Sequence, residues 1–304
     1  MALPTARRSF LASCGLLAAG ALTLAGCGSD SLSGSTPGAS SQAPATSVAA
    51  DSSLKAMLPQ SVQDSGVLRV GTNATYAPNE FLQGDKIVGM DIDIINAVAA
   101  KLGVKAEFTN AEFDSLIGGV SANRYDAAIS SFSITDERLQ QIDMVQYFSA
   151  GTQWATKKGN PDNVDPNSPC GLSVSVQTGS TQQLDDLPPK NEACTAAGKP
   201  GITVLPFDSQ ADAANALVSG RVQAMLADSP VTAYAVKQTG DQLELVGDIY
   251  DSAPYGIVLP KGGGQTAEAV SKALEEIAKD GSYETAMTNW GAEAGAVTEF
   301  PVNP

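Results

Sequence analysis

Four hydroxyl side chains and one arginine lie within nine consecutive residues and could together bind a small anion. They are Ser130, Ser131, Ser133, Thr135 and Arg138. The apolar residues at 127–129 predict a buried strand, and Thr135 with the acids at 136–137 predicts a helix N-cap and first turn. Hydroxyls, backbone N–H groups at a helix start and a guanidinium are the donors that a carboxylate requires. The run therefore predicts a carboxylate site anchored by Arg138, with a solvated turn and a surface arginine as the alternative.

An alternation of strands and helices would place this run at the binding edge of a sheet. Strands are predicted at 67–71, 104–109, 125–131, 170–176, 222–227 and 243–246, and helices at 90–102, 113–123, 209–219, 266–279 and 283–290. This alternation predicts an α/β protein with a mainly parallel sheet, in which ligands lie beyond the carboxyl ends of the strands. The loop at 72–81, the helix start at Phe113 and the serines at 130–133 all fall at that edge.

The composition indicates a globular protein with an acidic surface and excludes several functions. The 304 residues are 43% hydrophobic and 17% charged, which is enough for a full core that we expect to be divided between two lobes. Without the first 26 residues, 16 basic and 33 acidic residues give a formal charge of −17, which repels nucleic acid and anionic lipid. The absence of histidine excludes histidine-based triads and removes the commonest metal ligand. We expect no cofactor and no metal.

The first 26 residues have the pattern of an export signal. Arg7 and Arg8 precede an apolar run at 11–24 that is too short for a permanent membrane span. The run ends in Leu-Ala-Gly-Cys27, which resembles the bacterial lipobox and implies that a lipidated Cys27 anchors the protein to the outer face of the cell membrane; a plain signal peptide is the alternative. The paired arginines also resemble the twin-arginine export pattern, so the export route stays open.

The segment at 27–53 is predicted to be a disordered tether. It consists mostly of Ser, Ala, Gly, Pro and Thr, and it has too few large apolar residues to repay the entropy of ordering. About 25 residues of flexible chain reach roughly 25–30 Å, which would hold a folded body away from the membrane.

Three motifs resemble family 3 of the bacterial extracellular solute-binding proteins, which bind amino acids. The run at 130–138 matches the Ser-Ser-Leu-Ser-Ile-Thr-x-x-Arg pattern of the histidine and lysine/arginine/ornithine binders, with Phe132 replacing leucine. The loop Gly71-Thr-Asn-Ala-Thr-Tyr-Ala-Pro-Asn-Glu80 resembles their Gly-Thr-Asp-x-Thr-Tyr-Ala-Pro-Phe-Glu, and Leu226-Ala-Asp228 resembles a third motif. The resemblance spans about residues 65–292.

The resemblance implies a two-lobed periplasmic-binding-protein fold. Each lobe would be a mainly parallel sheet flanked by helices, and two crossing segments would join the lobes. Residues 54–151 and 253–304 would form lobe 1, and residues 152–252 would form lobe 2. The implied function is a monomeric, lipid-anchored protein that captures an amino acid by cleft closure and delivers it to an ABC permease.

The resemblance also assigns the two poles of the amino acid to particular residues. Those that would hold the α-carboxylate are Ser130, Ser131, Ser133, Arg138, Ser180 and Thr181. Asp228 would take the α-ammonium group, although its position before Ser229-Pro230 also fits the commoner role of a helix N-cap.

Four further residues would face the side chain of the amino acid. Tyr76 and Phe113 would pack on it, and Gln177 would touch it. Asn73 stands where the binders of cationic amino acids carry an aspartate. A neutral amide there favours a polar, neutral amino acid over a strongly charged one.

The cysteines outside the signal and lipidation positions suggest a disulfide. Cys14 would leave with the signal and Cys27 would carry lipid, so Cys170 and Cys194 remain in an oxidising compartment. Cys194 is predicted to lie in a polar loop at 188–201. A disulfide between the two would close a loop of about 25 residues, and two buried free thiols are the alternative.

Two other functions are compatible with the same fold. Periplasmic cyclohexadienyl or arogenate dehydratases share it, and Glu80 and Glu112 are the acids that such an enzyme could use here. A sensor without a transported ligand is the second alternative. We expect a binding protein rather than an enzyme.

Overall fold

The computed structural model describes residues 48–304. The predicted signal peptide, Cys27 and the tether up to residue 47 lie outside this range. Within the described residues no helix has the length and apolar character needed to cross a membrane.

Strands and helices alternate along the described chain. The strands are β1 (Val67–Thr72), β2 (Thr75–Tyr76), β3 (Glu80–Gln83), β4 (Lys86–Val88), β5 (Lys105–Asn110), β6 (Ala127–Ala128), β7 (Ile142–Lys157), β8 (Ser173–Gln177), β9 (Thr203–Phe207), β10 (Ala224–Asp228) and β11 (Leu243–Pro260). The α-helices are α1 (Ser52–Lys55), α2 (Gln60–Ser65), α3 (Met90–Lys101), α4 (Phe113–Ser121), α5 (Asp136–Gln141), α6 (Leu187–Ala196), α7 (Gln210–Val218), α8 (Ser229–Gln238), α9 (Gly264–Lys279) and α10 (Ser282–Trp290). A π-helical turn, Gln182–Asp186, precedes α6.

Eight strands form one sheet in the order β5-β1-β6-β11-β7-β10-β8-β9. The pairs β1–β5, β1–β6, β8–β10 and β8–β9 are parallel, whereas β7 and β11 are long and antiparallel to each other. The pairing of β7 with β11 shifts register between Val246 and Gly256. These two strands therefore carry the chain twice between the halves of the sheet, where crossing segments were predicted.

The buried apolar side chains separate into two lobes. Two clusters consist of residues from 54–150 and 255–300, which define the first lobe. Two others consist of residues from 154–243, which define the second lobe. A small fifth cluster joins Tyr76 of the first lobe to Ala227 and Val231 of the second. The fold is thus the expected two-lobed α/β architecture, with one tyrosine packed across the cleft.

Local structure differs from the sequence prediction at several places. The region 72–81 was predicted as a loop because polar turns separate its short extended segments. It nevertheless contributes to the three-stranded sheet β2-β3-β4. Of the strand predicted at 125–131, only β6 (Ala127–Ala128) is present. Residues 51–53, predicted to belong to the tether, are held against the folded protein, because the Asp51 carboxylate caps α1 and the Asp51 N–H donates to the Lys101 carbonyl.

A disulfide joins Cys170 and Cys194, 24 residues apart, with their Cα atoms 5.4 Å from each other. The prediction that Cys194 lies in a loop was wrong, since Cys194 belongs to α6. The prolines at 188–189 suggested a loop, but they occupy the first turn of the helix, where no intrahelical N–H donor is needed.

Removal of this disulfide should lower the free energy of unfolding by about 3 kcal/mol, because a cross-link of this span restricts the unfolded chain. Denaturant unfolding with and without reductant measures the difference. The double variant Cys170→Ser/Cys194→Ser should unfold like the reduced protein and should not respond to reductant. Equal midpoints for the oxidised and reduced protein would contradict the expectation.

Candidate functional site

A small cavity lies between the lobes, at the carboxyl ends of strands from both halves of the sheet. Its lining residues are Tyr76, Phe113, Ser130, Ser131, Ser133, Arg138, Gln177, Ser180, Thr181, Gln182 and Asp228. Ten of the predicted site residues are among them. Asn73 does not line the cavity, but it lies directly behind Gln177, as described below.

Arg138 reaches the cavity from the first turn of α5. The Thr135 hydroxyl caps this helix by accepting the Arg138 N–H at 3.2 Å, which orients the arginine. The guanidinium donates to two backbone carbonyls, from Nη1 to Ser133 O at 2.8 Å and from Nη2 to Gly179 O at 3.1 Å. Gly179 belongs to the second lobe, so Arg138 contacts both sides of the cleft.

The guanidinium also lies against two aromatic rings. Its central carbon is 5.7 Å from the centroid of Phe113 and 5.4 Å from that of Phe132. Among the described residues, no carboxylate forms a salt bridge with it. Burial lowers the pKa of Arg138, and the negative charge of Asp228 opposes this shift. Arg138 is therefore a cation that the protein holds mainly through carbonyl and aromatic contacts, with guanidinium donors left for an anion.

Asp228 ends β10 in the second lobe and faces the same cavity. Its Oδ2 accepts from the hydroxyls of Tyr76 at 2.9 Å and Tyr255 at 2.7 Å, and its Oδ1 accepts from Gln182 Nε2 at 2.8 Å. Although Asp228 occupies the N-cap position of α8, its side chain makes no capping hydrogen bond. The carboxylate is therefore oriented toward the cleft rather than toward its own helix.

Burial destabilises the negative charge of Asp228, and neighbouring groups offset part of that effect. Burial raises its pKa above 3.8, while hydrogen bonds from Tyr255, Tyr76 and Gln182 and the positive charge of Arg138 act in the opposite direction. A cation placed beside Asp228 would further favour the ionised carboxylate.

Ser130 and Ser131 line the cavity at the end of β6 and are fixed from behind. The Ser130 hydroxyl accepts the Asn73 N–H at 3.0 Å and donates to Glu80 Oε1 at 2.9 Å. The Ser131 N–H donates to Asp91 Oδ2 at 2.8 Å. Both serines are thus held in place by buried acids of the first lobe.

Gln177 contributes to the other wall from the end of β8. Its Nε2 donates to Asn73 Oδ1 at 2.9 Å and to the Asp208 carbonyl at 3.3 Å. Asn73 Nδ2 donates in turn to the Ala111 carbonyl at 2.8 Å. Asn73 therefore acts on the cavity through Gln177, and this part of the wall is built from neutral amides.

The turn after β8 brings Ser180 and Thr181 to the cavity. The Ser180 hydroxyl donates to the Gln177 carbonyl at 2.7 Å. Gly179 has a φ of +79°, and a Cβ there would lie 2.9 Å from the Asp114 Cβ of the first lobe. This close approach requires glycine, and it brings the Gly179 carbonyl within reach of Arg138.

Two aromatic residues of the predicted site have additional contacts within the protein. Phe113 stacks on Phe132 with ring centroids 4.6 Å apart. Tyr76, besides donating to Asp228, accepts the Asp228 backbone N–H at 3.1 Å. Tyr76 therefore connects the first lobe to the carboxylate of the second.

Sequence reasoning missed two residues that orient Asp228. They are Gln182, which also donates to Thr152 Oγ1 at 3.0 Å, and Tyr255 on β11. Gln182 follows the predicted pair 180–181 directly, so its position could have suggested a role. Tyr255 carries no local signal, because it is a buried aromatic residue within a strand.

The acids considered for an enzyme do not line the cavity. Glu80 is fully buried behind Ser130, and Glu112 is an exposed residue preceding α4. Neither carboxyl is therefore in position to transfer a proton to a group held in the cleft.

Known proteins share much of this sequence and fold. The arginine-binding protein ArgT of Corynebacterium glutamicum is 34% identical over 251 residues, which cover 82% of each chain. A solved ancestral arginine-binding protein bound to arginine is 38% identical with a TM-score of 0.68, covering 74% of this chain and 98% of that one. An ancestral amino acid-binding protein, a precursor of cyclohexadienyl dehydratase, is 31% identical with a TM-score of 0.66, covering 76% and 97%.

The model of the bacterial extracellular solute-binding proteins, family 3, matches residues 68–293, which include every residue that lines the cavity. The second lobe, most of the first lobe and both crossing strands fall within the match. The chain therefore belongs to the family 3 bacterial extracellular solute-binding proteins.

Proposed function

We propose that this protein captures a free α-amino acid with a polar, neutral side chain between its two lobes. The observation that carries the proposal is the pair of opposite charges, Arg138 and Asp228, facing one cavity from the two lobes. An α-amino acid presents a carboxylate and an ammonium group in the same arrangement.

Arg138 is suited to the carboxylate. It has five N–H donors, and Ser133 and Gly179 take two of them through backbone carbonyls that carry no net charge. The hydroxyls of Ser133 and Thr181 line the same cavity and would supply further donors, and Ser131 lies beside them. A carboxylate held by these groups would neutralise a buried cation through charge-assisted hydrogen bonds.

Asp228 is suited to the ammonium group. Its two oxygens are fixed by Tyr76, Tyr255 and Gln182, so its orientation costs no further ordering when the amino acid binds. Because Arg138 and Asp228 belong to different lobes, an amino acid that touches both favours the closed cleft over the open one.

The wall near Gln177 and Asn73 supports a neutral side chain. Two amides are hydrogen-bonded to each other there, and the Asp208 carbonyl accepts from Gln177. Related proteins are named for arginine, so arginine is the principal competitor. A neutral amide offers a cationic side chain a dipole rather than a full opposite charge, which favours a polar, neutral ligand.

The remainder of the proposal concerns the cell. Lipidation of Cys27 would anchor the protein on the outer face of the membrane, and the segment from Cys27 would act as a tether. The loaded protein would deliver its amino acid to an ABC permease as a monomer. We place lobe 1 at 54–151 plus 253–304 and lobe 2 at 152–252.

A thermal-shift screen of the amino acids tests the proposal. The protein is produced without residues 1–27, which leaves the described residues 48–304 intact. A ligand present at 100 times its Kd should stabilise the folded state by about 2.7 kcal/mol. We expect the largest shifts with polar, neutral amino acids. A larger shift with arginine or lysine would overturn the proposed side-chain class, and no shift with any amino acid would overturn amino-acid capture.

A dehydratase-like activity is tested on the same preparation. Incubation with prephenate or arogenate should give no product, because neither Glu80 nor Glu112 reaches the cavity. Product that disappears in Glu80→Gln or Glu112→Gln would support the enzyme alternative.

A further inference from the structure

Two acidic side chains are buried together behind the serines of the cavity. Glu80 begins β3 and Asp91 lies in the first turn of α3, and both residues have 0% of their surface exposed. Among the described residues, neither forms a salt bridge with a lysine or an arginine. Two ionised carboxylates without a cation would be very costly at such a site.

Both carboxyl groups contact Ser131. Asp91 Oδ2 accepts the Ser131 N–H at 2.8 Å, and the Ser131 hydroxyl lies 3.2 Å from Asp91 Oδ2 and 3.4 Å from Glu80 Oε2. Ser131 has a φ of +54°, in the left-handed region that non-glycine residues rarely adopt. Its N–H bond to Asp91 helps to hold this backbone conformation. Glu80 Oε1 accepts a hydrogen bond from the neighbouring Ser130 hydroxyl and so holds that side chain in place.

The hydrogen bonds leave one acceptor without a donor. Asp91 Oδ2 accepts from Ser131 and from the Tyr147 hydroxyl at 2.7 Å, whereas Asp91 Oδ1 is buried and receives no hydrogen bond from the described residues. A protonated Glu80 carboxyl group would supply the missing donor. The titratable groups that face Glu80 are Asp91 on α3, Tyr147 on β7 and Tyr76 on β2. None of them supplies a positive charge.

The electrostatic consequence agrees with this geometry. Burial raises the pKa of Glu80 well above 4.5, and the negative charge of Asp91 raises it further. Burial raises the pKa of Asp91 to about 6. Because both pKa values are raised, the pair holds a proton in the folded protein more strongly than in the unfolded chain.

We propose that Glu80 and Asp91 share one proton and act as a positioning pair that holds Ser130 and Ser131 in place in the wall that faces the carboxylate of the bound amino acid. This inference rests on the proposed function of the cavity. Neither acid touches the amino acid, and both act through the serines. Loss of the shared proton places a second negative charge behind Ser130 and Ser131, where it repels the carboxylate of the bound amino acid.

The sign of the pH dependence follows from the raised pKa values. The shared proton is fully present below the ordinary carboxyl range and is lost as the pH rises through the raised pKa of the pair. Affinity for the amino acid should therefore fall with rising pH. The ligand's own ammonium group and Asp228 also titrate, but they do so equally in wild type and in variants at residue 80. The difference between the two pH profiles therefore reports on the pair.

Calorimetric titration of the chain lacking residues 1–27 with its best-binding amino acid, from about pH 5 to about pH 9, tests the pair. Glu80→Gln keeps an acceptor for Ser130 and a permanent N–H donor for Asp91. At the acidic limit its Kd should lie within about threefold of the wild-type Kd. Between the acidic and the basic limit, the rise in its Kd should be smaller than the rise in the wild-type Kd by a factor of at least about ten. Glu80→Ala should bind more than about tenfold more weakly at every pH. The exposed Glu112→Gln, which removes the same charge, should follow the wild-type profile.

The proposal is overturned if folded Glu80→Gln binds as poorly as Glu80→Ala, or if its pH profile is parallel to that of wild type. Should Glu80→Gln fail to fold, Asp91→Asn offers a neutral donor from the opposite side and should give the same flattened profile. If the wild-type protein binds no amino acid at any pH, the proposed function fails instead. Infrared spectra of the ligand-free protein then decide the question, since the pair requires a protonated-carboxyl band that Glu80→Gln removes.

Discussion

Arg138→Ala is expected to weaken amino-acid binding by about 2–5 kcal/mol, which is roughly 30-fold to more than a thousandfold in Kd. The guanidinium is the positive group of the cavity, and its removal would leave the ligand's carboxylate with neutral donors only. The substitution also frees the carbonyls of Ser133 and Gly179, and the second of these bonds crosses the cleft. Isothermal titration calorimetry measures the loss.

Two control variants separate the role of this arginine from general effects. Arg138→Lys keeps the charge but cannot bind both carbonyls and a carboxylate in one plane, so it should recover only part of the affinity. Arg221→Ala removes a guanidinium that lies 5.3 Å from the Phe207 ring on the exposed surface, and it should bind like wild type. Affinity of Arg138→Ala within tenfold of wild type would contradict the assignment of the carboxylate to Arg138.

Much of the fold could be predicted because each local signal had a physical cause that the tertiary structure did not override. Thr135 caps α5 as its type and position indicate. The apolar positions at 92, 95, 98, 99 and 102 are buried, as one face of a helix should be. The alternation of strands and helices correctly indicated parallel pairing, since strands joined by helices return to the sheet in the same direction.

The errors arose where long-range contacts decide the local structure. The Asp51 carboxylate caps a helix whose first two residues composition alone placed in the tether, and the Asp51 N–H is held by the carbonyl of Lys101. The prolines at 188–189 lie in the first turn of α6 instead of marking a loop. Propensity describes the isolated segment, so it cannot include a partner that lies far away in the sequence.

The candidate site was predictable in its membership but not in its hydrogen bonds. Motif positions placed Arg138 in the helix after one strand and Asp228 at the end of another, and the topology brings both to one edge. Nothing in the sequence showed that Tyr76 would donate to a carboxylate 152 residues away, or that Tyr255 would join it. Such bonds depend on how the two lobes meet, and that geometry has no local sequence signal.

Substitution of Asp228 separates the charge of this site from its scaffold. Asp228→Asn preserves shape and keeps an acceptor, but it removes the negative charge that the ligand's ammonium group requires. We expect binding to weaken by about 2–5 kcal/mol. The amide N–H replaces one of the two accepting oxygens, so the ligand-free protein should lose some thermal stability, but less than when both oxygens are removed. Calorimetric titration and thermal unfolding of the same preparation measure the two quantities.

Asp228→Ala should lose as much affinity and should also destabilise the ligand-free protein. It leaves the buried donors Tyr76, Tyr255 and Gln182 without their acceptor, and an unsatisfied buried donor costs about 1–3 kcal/mol. The matched control is Asp185→Asn, because Asp185 is exposed and its charge also acts on Arg138, yet it does not line the cavity. If Asp228→Asn bound like Asp185→Asn, the ammonium group would not be held by Asp228. The pairing of opposite poles across the cleft requires the two variants to differ.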